Sequence, residues 1–354
     1  MPINSGTYDI SSLLAARFQS VAAFGMSTVR LVLDADIAAH NQIVQELMLE
    51  FCEITTDRQR IYGTSQSGDM VEVDEYGRAP AKRQNPGATV GFPMKNFQFN
   101  LGWTAKWLQT RTPADVAISV QGAEKAHLRA IQLELKRAIF RSANYVYRDH
   151  LVDNIDFNIK RFINADSSLM ADGPNGENFD GSSHTHYLAR AGGSLAASDV
   201  TSLINTVVEH GFGGSVKLAI SRTDEATFRA LTGFTAYIDP RLINGTFANQ
   251  PGQRLDISRM DNRAIGIFGA AEVWVKPWCL ANYCVCWDTA NPNKPLAFRQ
   301  RNETALQGLR IAAEYDDYPL QAQFMEAEFG MGVWTRTNGG VLYFGNTSYA
   351  DPTI

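Results

Sequence analysis

The feature that most constrains this chain is a long hairpin-like segment at residues 53–111, followed at once by a capped helix. The outgoing part of this segment is polar and rich in glycine. The return part alternates between an apolar and a polar face. The apolar face carries Phe97, Phe99, Leu101 and Trp103, and the polar face carries Gln98, Asn100 and Thr104. This period of two predicts a half-buried strand. A long two-stranded arm is not stable alone in water, so we expect it to lie on another surface, such as a neighbouring subunit.

The helix behind this segment is the longest that the sequence predicts, over residues 113–143. Thr112 suits its N-cap, Pro113 its first position, and Asp115 places a negative charge in the first turn. An apolar stripe at helical spacing comprises Leu128, Ile131, Leu135, Ala138 and Ile139. The side expected to face away from it carries Lys125, Arg129, Glu134, Lys136 and Arg141.

Composition excludes several classes of protein. A chain of 354 residues is long enough for two or more modules. A formal net charge of -5 argues against a surface that coats nucleic acid throughout, although it allows one basic face. No run of about 18 apolar residues predicts a membrane span. Four cysteines in a chain of this size suggest no disulfide framework, which favours synthesis in the cytosol.

Other segments predict a second module and a closing hairpin. Ser198 suits the cap of a helix that ends at Gly211, and Val216–Ile220 reads as a strand. A short helix over 222–231 and a long polar loop over 235–262 follow, which indicates a mixed α/β module. Residues 320–344 read as nearly continuous strand, and the Asn-Gly at 338–339 predicts a hairpin turn within it. Near the N-terminus, Asp34 or Asp36 is the expected start of a helix that buries Ile37, Val44, Leu47, Met48 and Phe51.

This order of elements resembles the major capsid proteins of tailed double-stranded-DNA phages, which have the Hong-Kong-ninety-seven-type fold. The quoted similarity lies in residues 216–221 (VKLAIS), 225–231 (EATFRAL), 328–337 (EFGMGVWTRT) and 340–345 (GVLYFG). The resemblance implies an α+β fold. It divides the chain into an N-terminal arm and helix (1–53), an extended loop (54–104), a peripheral domain with its spine helix (105–193), an α/β axial domain (194–305) and returning peripheral strands (306–354). No long, highly charged helical segment precedes the arm, so a separate scaffolding protein is implied.

The same resemblance implies a structural function without enzymatic activity. The chain would assemble with itself into hexamers and pentamers of an icosahedral shell in the virion, after synthesis in the host cytoplasm. Expected partners are portal and scaffolding proteins, a decoration protein in some shells, and packaged double-stranded DNA contacted without sequence preference; no membrane is expected. Contacts between subunits are expected at Phe97, Phe99, Trp103, Arg78, Lys82 and Arg83. The expected inward-facing basic residues are Arg17, Arg30, Lys125 and Arg129.

The residues themselves predict no catalytic, cofactor or metal site. Cys279, Cys284 and Cys286 have no fourth ligand nearby in sequence, and cysteines on a strand usually act as small buried apolar residues. His184-x-His186 could bind a metal or sense pH, but solvated loop histidines are the favoured interpretation. The acids at 314, 316 and 317 favour a solvated turn over a cation site.

Two rival functions remain open. The first shares the fold and is a bacterial nanocompartment shell similar to an encapsulin, which encloses protein instead of DNA. The second is an α/β enzyme that uses residues 235–262 as a lid over its site. The absence of paired acid–base or nucleophilic residues in the sequence argues against the enzyme.

Overall fold

The computed structural model describes residues 19–63, 70–78, 87–237 and 262–354. The helices are α1 (Val21–Phe24), α2 (Met26–Met48), α3 (Ala105–Thr110), α4 (Pro113–Phe140), α5 (Ala197–Val208) and α6 (Glu225–Arg229). The first eight strands are β1 (Cys52–Thr55), β2 (Gln59–Tyr62), β3 (Ala88–Gly91), β4 (Lys95–Thr104), β5 (Tyr145–Asp149), β6 (Ile155–Ile159), β7 (Tyr187–Ala189) and β8 (Val216–Ile220). The remaining strands are β9 (Phe234–Ala236), β10 (Arg263–Phe268), β11 (Ala271–Val275), β12 (Tyr283–Asp288), β13 (Leu296–Gln300), β14 (Leu309–Asp317), β15 (Leu320–Val333) and β16 (Gly340–Tyr343). Within these ranges, no helix is long and apolar enough to cross a membrane.

The first main sheet contains β1, β13, β15 and β14, with β4 also paired to β15. The predicted alternation of β4 is confirmed, because its odd-numbered side chains are the more buried ones along the whole strand. However, β4 is not one leg of a free arm. It pairs antiparallel with β15 from Lys95 opposite Phe329 to Thr104 opposite Leu320. The return leg therefore belongs to the body of the subunit, where one edge of the strand is hydrogen-bonded to β15.

Helix α4 packs against this sheet. The backbone N–H and the hydroxyl of Thr112 both donate to Asp115 Oδ2, at 3.0 and 3.1 Å, which anchors the first turn. The predicted apolar stripe is buried, except that Leu128 is half-buried. The helix ends at Phe140, three residues earlier than predicted, because the backbone becomes extended at Arg141.

One charged residue of α4, Glu134, does not lie on the side of the helix that the sequence predicts. Glu134 was predicted to lie on the side that faces away from the apolar stripe, yet its side chain is 3% exposed. It accepts from Lys95 Nζ at 2.6 Å and from Arg137 Nη1 at 2.7 Å. The two cations compensate the charge that burial would otherwise leave uncompensated.

The second main sheet has seven strands in the order β7-β16-β12-β8-β11-β10-β9. The predicted strand Val216–Ile220 is confirmed, and β10 and β11 form an antiparallel hairpin. Helix α5 begins at Ala197, two residues earlier than a cap at Ser198 predicts, because Asp199 Oδ2, and not Ser198, accepts from the backbone N–H of Ala196 at 2.9 Å. Residues 222–229 form a 3-10 turn followed by α6. Of the long loop predicted over 235–262, residues 238–261 lie outside the described part of the chain.

The predicted closing hairpin is wrong. β15 lies in the first sheet, whereas β16 pairs with β12 and β7 in the second. The turn between them is fixed by Asn338, whose side chain accepts from Asp288 N at 2.9 Å and donates to the carbonyls of Asp288 and Asn293. These contacts lead the chain from one sheet to the other. The Asn-Gly pair is thus a crossing point between two layers.

Helix α2 begins at Met26, upstream of the predicted start at Asp34 or Asp36. The reason is that Val29, Val32 and Leu33 are also buried and continue the apolar stripe towards the N-terminus. Ile37, Val44 and Met48 are buried as predicted, and so is Phe51, which lies after the helix end. Leu47 is exposed instead.

Candidate assembly surfaces

The aromatic residues predicted to contact a neighbour lie mainly inside the subunit. Phe97 stacks on Phe329 with 4.6 Å between ring centroids, and Phe329 stacks on Phe298 at 5.5 Å. Phe99 is half-buried against the same core, and Trp103 is buried beside Trp107. The chain's own sheet and helices thus cover most of these rings. Their contact with a neighbouring subunit stays a prediction.

The described part of the extended loop carries a different apolar group. Strands β2 and β3 pair from Gln59 opposite Gly91 to Tyr62 opposite Ala88, and the loop extends from them. Four apolar or aromatic side chains in the described tip are solvent-exposed: Met70, Val71, Val73 and Tyr76. Arg78 is also exposed, while Lys82 and Arg83 lie outside the described residues. The sequence shows these apolar residues around Glu72 and Asp74, but the run is too short to predict a contact surface.

A second exposed group lies at the end of the β14–β15 hairpin. The turn contains a cis peptide bond between Tyr318 and Pro319. Tyr318 is 86% exposed, and Tyr315 and Leu320 are about half exposed. β14 ends one path through the first sheet, and it is exposed from residue 312 to its end. An exposed edge strand with apolar residues at its tip is a typical contact surface between chains. The prediction of a solvated turn was based only on the acids at 314, 316 and 317 and did not use the apolar residues beside them.

Helix α2 contributes a third group. Ile43 and Leu47 are separated by one helical turn and are both about half exposed. Leu49 continues the exposed apolar surface just after the helix. These residues face away from the buried stripe that packs α2 onto the subunit.

The predicted inward-facing basic residues differ in their availability. Arg17 lies outside the described residues. Arg30 Nη1 donates to Glu314 Oε2 at 2.6 Å, so its charge is compensated. Lys125 and Arg129 are exposed and one turn apart on α4, where the Arg129 guanidinium donates to the Lys125 carbonyl. These two residues form a local basic pair that a phosphate could contact.

The two histidines predicted to be solvated are not. His186 is fully buried and His184 is largely buried. Both contact His210, which lies just after α5 and which the sequence interpretation did not connect to them. A pattern within one segment could not indicate this, because the third histidine is 24 residues further along the chain.

Comparison with known proteins adds the fold. No protein-family model and no curated protein matches the sequence. Among solved structures, a chain of Mycobacterium phage Patience is 18% identical and superimposes with a TM-score of 0.68, over 99% of this chain and 97% of that one. This chain has the tailed-phage capsid fold. The expected α+β capsid architecture is therefore confirmed.

Other solved structures with the capsid fold are less similar. A chain of the cyanophage A-1(L) capsid is 12% identical, with a TM-score of 0.49 over 86% of this chain and 93% of that one. A chain of the capsid of an empty GTA particle is also 12% identical, with a TM-score of 0.49 over 84% and 90%.

Proposed function

We propose that this chain is the major capsid protein of a tailed phage. It assembles with itself into hexamers and pentamers of an icosahedral shell that encloses the DNA genome. The observation that carries the proposal is the full-length capsid fold, which spans 99% of this chain and 97% of the phage Patience chain. Its role is structural and not enzymatic, and its place is the virion, after synthesis in the host cytoplasm.

The three exposed apolar groups support self-association. They lie in the extended loop at residues 70–76, at the β14–β15 tip and on helix α2. Burial of one large apolar side chain stabilises a contact by about 1.5–3 kcal/mol. Each such contact is modest, but a subunit in a closed shell makes several at once, and their sum gives a stable assembly. Contacts that pass from one copy to the next around a ring are the type that closes a capsomer.

We assign the two proposed domains to the two main sheets. The first sheet with α4 serves as the peripheral domain, and the second sheet with α5 and α6 serves as the axial domain near the local symmetry axis. We place β4 in the peripheral domain and not in the extended loop, because it is paired along its length with β15. We likewise place β16 with the axial sheet, to which it is hydrogen-bonded. The extended loop then runs from β2 to β3.

Contacts with packaged DNA are proposed for the inner surface. Lys125 and Arg129 are the best-supported of the basic candidates, since they are exposed and adjacent. Such contacts are made to phosphates and carry no sequence preference. Portal and scaffolding proteins, and a decoration protein in some shells, are the further partners of this proposal.

The particle's contents test the proposal against its nearest rival. Particles isolated from the natural host should contain double-stranded DNA that resists nuclease until the shell is opened. Particles filled with one enzyme and no DNA would instead support a nanocompartment shell. A monomer that turns over a small molecule, with no particles, would support the enzyme alternative.

A further inference from the structure

Three histidines from two segments converge in one place, and the backbone holds two of them firmly. His184 and His186 lie just before β7. The carbonyl of His184 accepts from Ala165 N at 2.9 Å, and the backbone N–H of His186 donates to Ile163 O at 2.8 Å. His210 lies two residues after the end of α5. The phenyl ring of Phe179 covers the group, with its centroid 4.2 Å from that of His210.

The Nε2 atoms of the three rings form a nearly equilateral triangle. The distances are 3.0 Å between His184 and His210, 3.1 Å between His186 and His210, and 3.2 Å between His184 and His186. Zinc–nitrogen bonds of about 2.05 Å would separate ligand nitrogens by about 3.3 Å in a tetrahedral site and about 2.9 Å in an octahedral site. The observed triangle lies between these two values. One ion could therefore bind all three nitrogens with little movement.

Hydrogen bonds among the rings cannot satisfy this arrangement. His186 Nδ1 lies 2.7 Å from the carbonyl oxygen of Gly339, so this nitrogen carries the proton and donates. In the neutral ring, Nε2 of His186 then carries a lone pair that points at the other two nitrogens. Whichever tautomers His184 and His210 adopt, at least one of the three close contacts joins two lone pairs or two N–H groups. A cation at the centre would turn all three contacts into favourable ones.

The surroundings favour the neutral, ligating form of the rings. Burial lowers the pKa of His184 and lowers that of His186 further. Burial and the adjacent His184 lower the pKa of His210 to about 4. A neutral imidazole offers a lone pair to a metal ion, so lowered pKa values favour metal binding. The carbonyl that orients His186 is the kind of outer hydrogen-bond partner that metal-binding histidines commonly have.

A fourth ligand is available. Glu209 Oε1 lies 3.5 Å from His184 Nε2, and all four candidate ligand atoms lie within 4.8 Å of one another. Two ligands of a tetrahedral zinc ion, one nitrogen and one carboxylate oxygen, would be about 3.4 Å apart. We propose that His184, His186, His210 and Glu209 form a structural site for one divalent transition-metal ion, with zinc as the best match. Three imidazoles and one carboxylate suit Zn²⁺, and four protein ligands leave no open position for catalysis.

The ion would connect two parts of the chain. It joins the end of α5, which packs on the second sheet, to the segment that leads into β7. Residues 163–165, which pair with this segment, are in turn hydrogen-bonded to Arg336 beyond the end of β15. Bound metal would therefore stabilise the junction between the two sheets in each subunit. This inference is independent of whether the chain forms a phage shell.

Metal titration of the full-length, untagged protein tests the site. Apo protein prepared with a chelator is titrated with Zn²⁺ by calorimetry, and with Co²⁺ by visible absorption, where a tetrahedral site gives intense d–d bands. We expect one equivalent per subunit and a thermal midpoint that rises with zinc, since a ligand that binds only the folded state stabilises it. His210→Gln should weaken binding by more than the roughly 10–100-fold loss that follows removal of an outer hydrogen-bond partner. Glu209→Gln should weaken binding less and alter the cobalt spectrum.

His150→Gln is the matched control, because His150 is exposed and lies outside the cluster. It should bind like the wild type. Circular dichroism of each variant in chelator separates loss of metal binding from loss of fold. Less than a tenth of an equivalent bound by folded wild-type protein, or unchanged binding by folded His210→Gln, would overturn the proposal.

Discussion

Phe97 and Tyr318 are both aromatic, but Phe97 packs within the subunit, whereas Tyr318 is exposed and available for contact with a neighbour. Phe97 is half-buried and stacks on Phe329 within the chain, with an angle of 19° between the ring planes. Phe97→Ser should remove about 1.5–3 kcal/mol from the free energy of unfolding, because a half-buried ring loses only part of the roughly 3–5 kcal/mol that truncation of a buried phenylalanine costs. The unfolding entropy of a chain of this length is roughly 0.7 kcal/mol/K, so the thermal midpoint should fall by about 2–4 °C.

Tyr318→Ser should show the opposite pattern. Its ring is 86% exposed in the subunit, so its loss should change the free energy of unfolding by less than about 0.5 kcal/mol. Where the ring is buried against a neighbour, each contact loses about 1.5–3 kcal/mol, which is roughly a 10–150-fold weaker association.

Calorimetry of unassembled subunits measures the first effect, and the critical concentration for assembly, determined by sedimentation, measures the second. The two variants serve as controls for each other, since each replaces an aromatic ring of similar size by serine. If Phe97→Ser leaves the thermal midpoint unchanged and abolishes particles, the ring belongs to the interface and the packing argument is wrong. Normal assembly of Tyr318→Ser would remove the β14–β15 tip from the contact surfaces.

Three further predictions concern charged residues. Arg299 pairs with the fully buried Asp149 at 2.9 Å, so Arg299→Met should cost about 3–5 kcal/mol in urea unfolding by leaving a buried charge uncompensated; a loss below about 1 kcal/mol would contradict this. Burial and the nearby Asp36 raise the pKa of Glu124 to about 7. The folded state therefore binds more protons than the unfolded state between about pH 4.5 and 7, and this group's contribution to stability is lost as pH rises. Glu124→Gln should therefore raise the thermal midpoint at pH 8 and change it little at pH 4, and an equal shift at both would refute the assignment. The free subunit should bind DNA weakly and without sequence preference at physiological salt, and Lys125→Ala with Arg129→Ala should reduce the salt dependence of that binding in gel-shift titrations; tight, sequence-selective, salt-resistant binding would contradict the shell function.

Features set by local periodicity were predictable from the sequence. The alternation of β4 and the strand Val216–Ile220 depend on side chains close in sequence that share one face. The capped start of α4 depends on hydrogen bonds between Thr112 and Asp115, which are three residues apart. The resemblance in element order then indicated the capsid fold, which the phage Patience chain supports over nearly its full length.

Features set by long-range partners were not predictable in this way. Nothing near residues 338–339 in sequence shows that Asn338 bonds to Asp288, and so a local turn signal predicted a hairpin where the chain changes sheets. Nothing around His184 shows that His210 will meet it. Likewise, the apolar face of β4 fits both a neighbour and the chain's own core, and nothing in this segment shows that β4 pairs with β15.

Electron microscopy of the purified full-length protein tests the central claim most directly, with sedimentation analysis of the same sample. A capsid protein should form closed, roughly spherical shells, or rings of five and six copies, whose amount rises steeply with protein concentration. A folded protein that stays monomeric at every concentration, with and without a crowding agent, would contradict the proposed shell function.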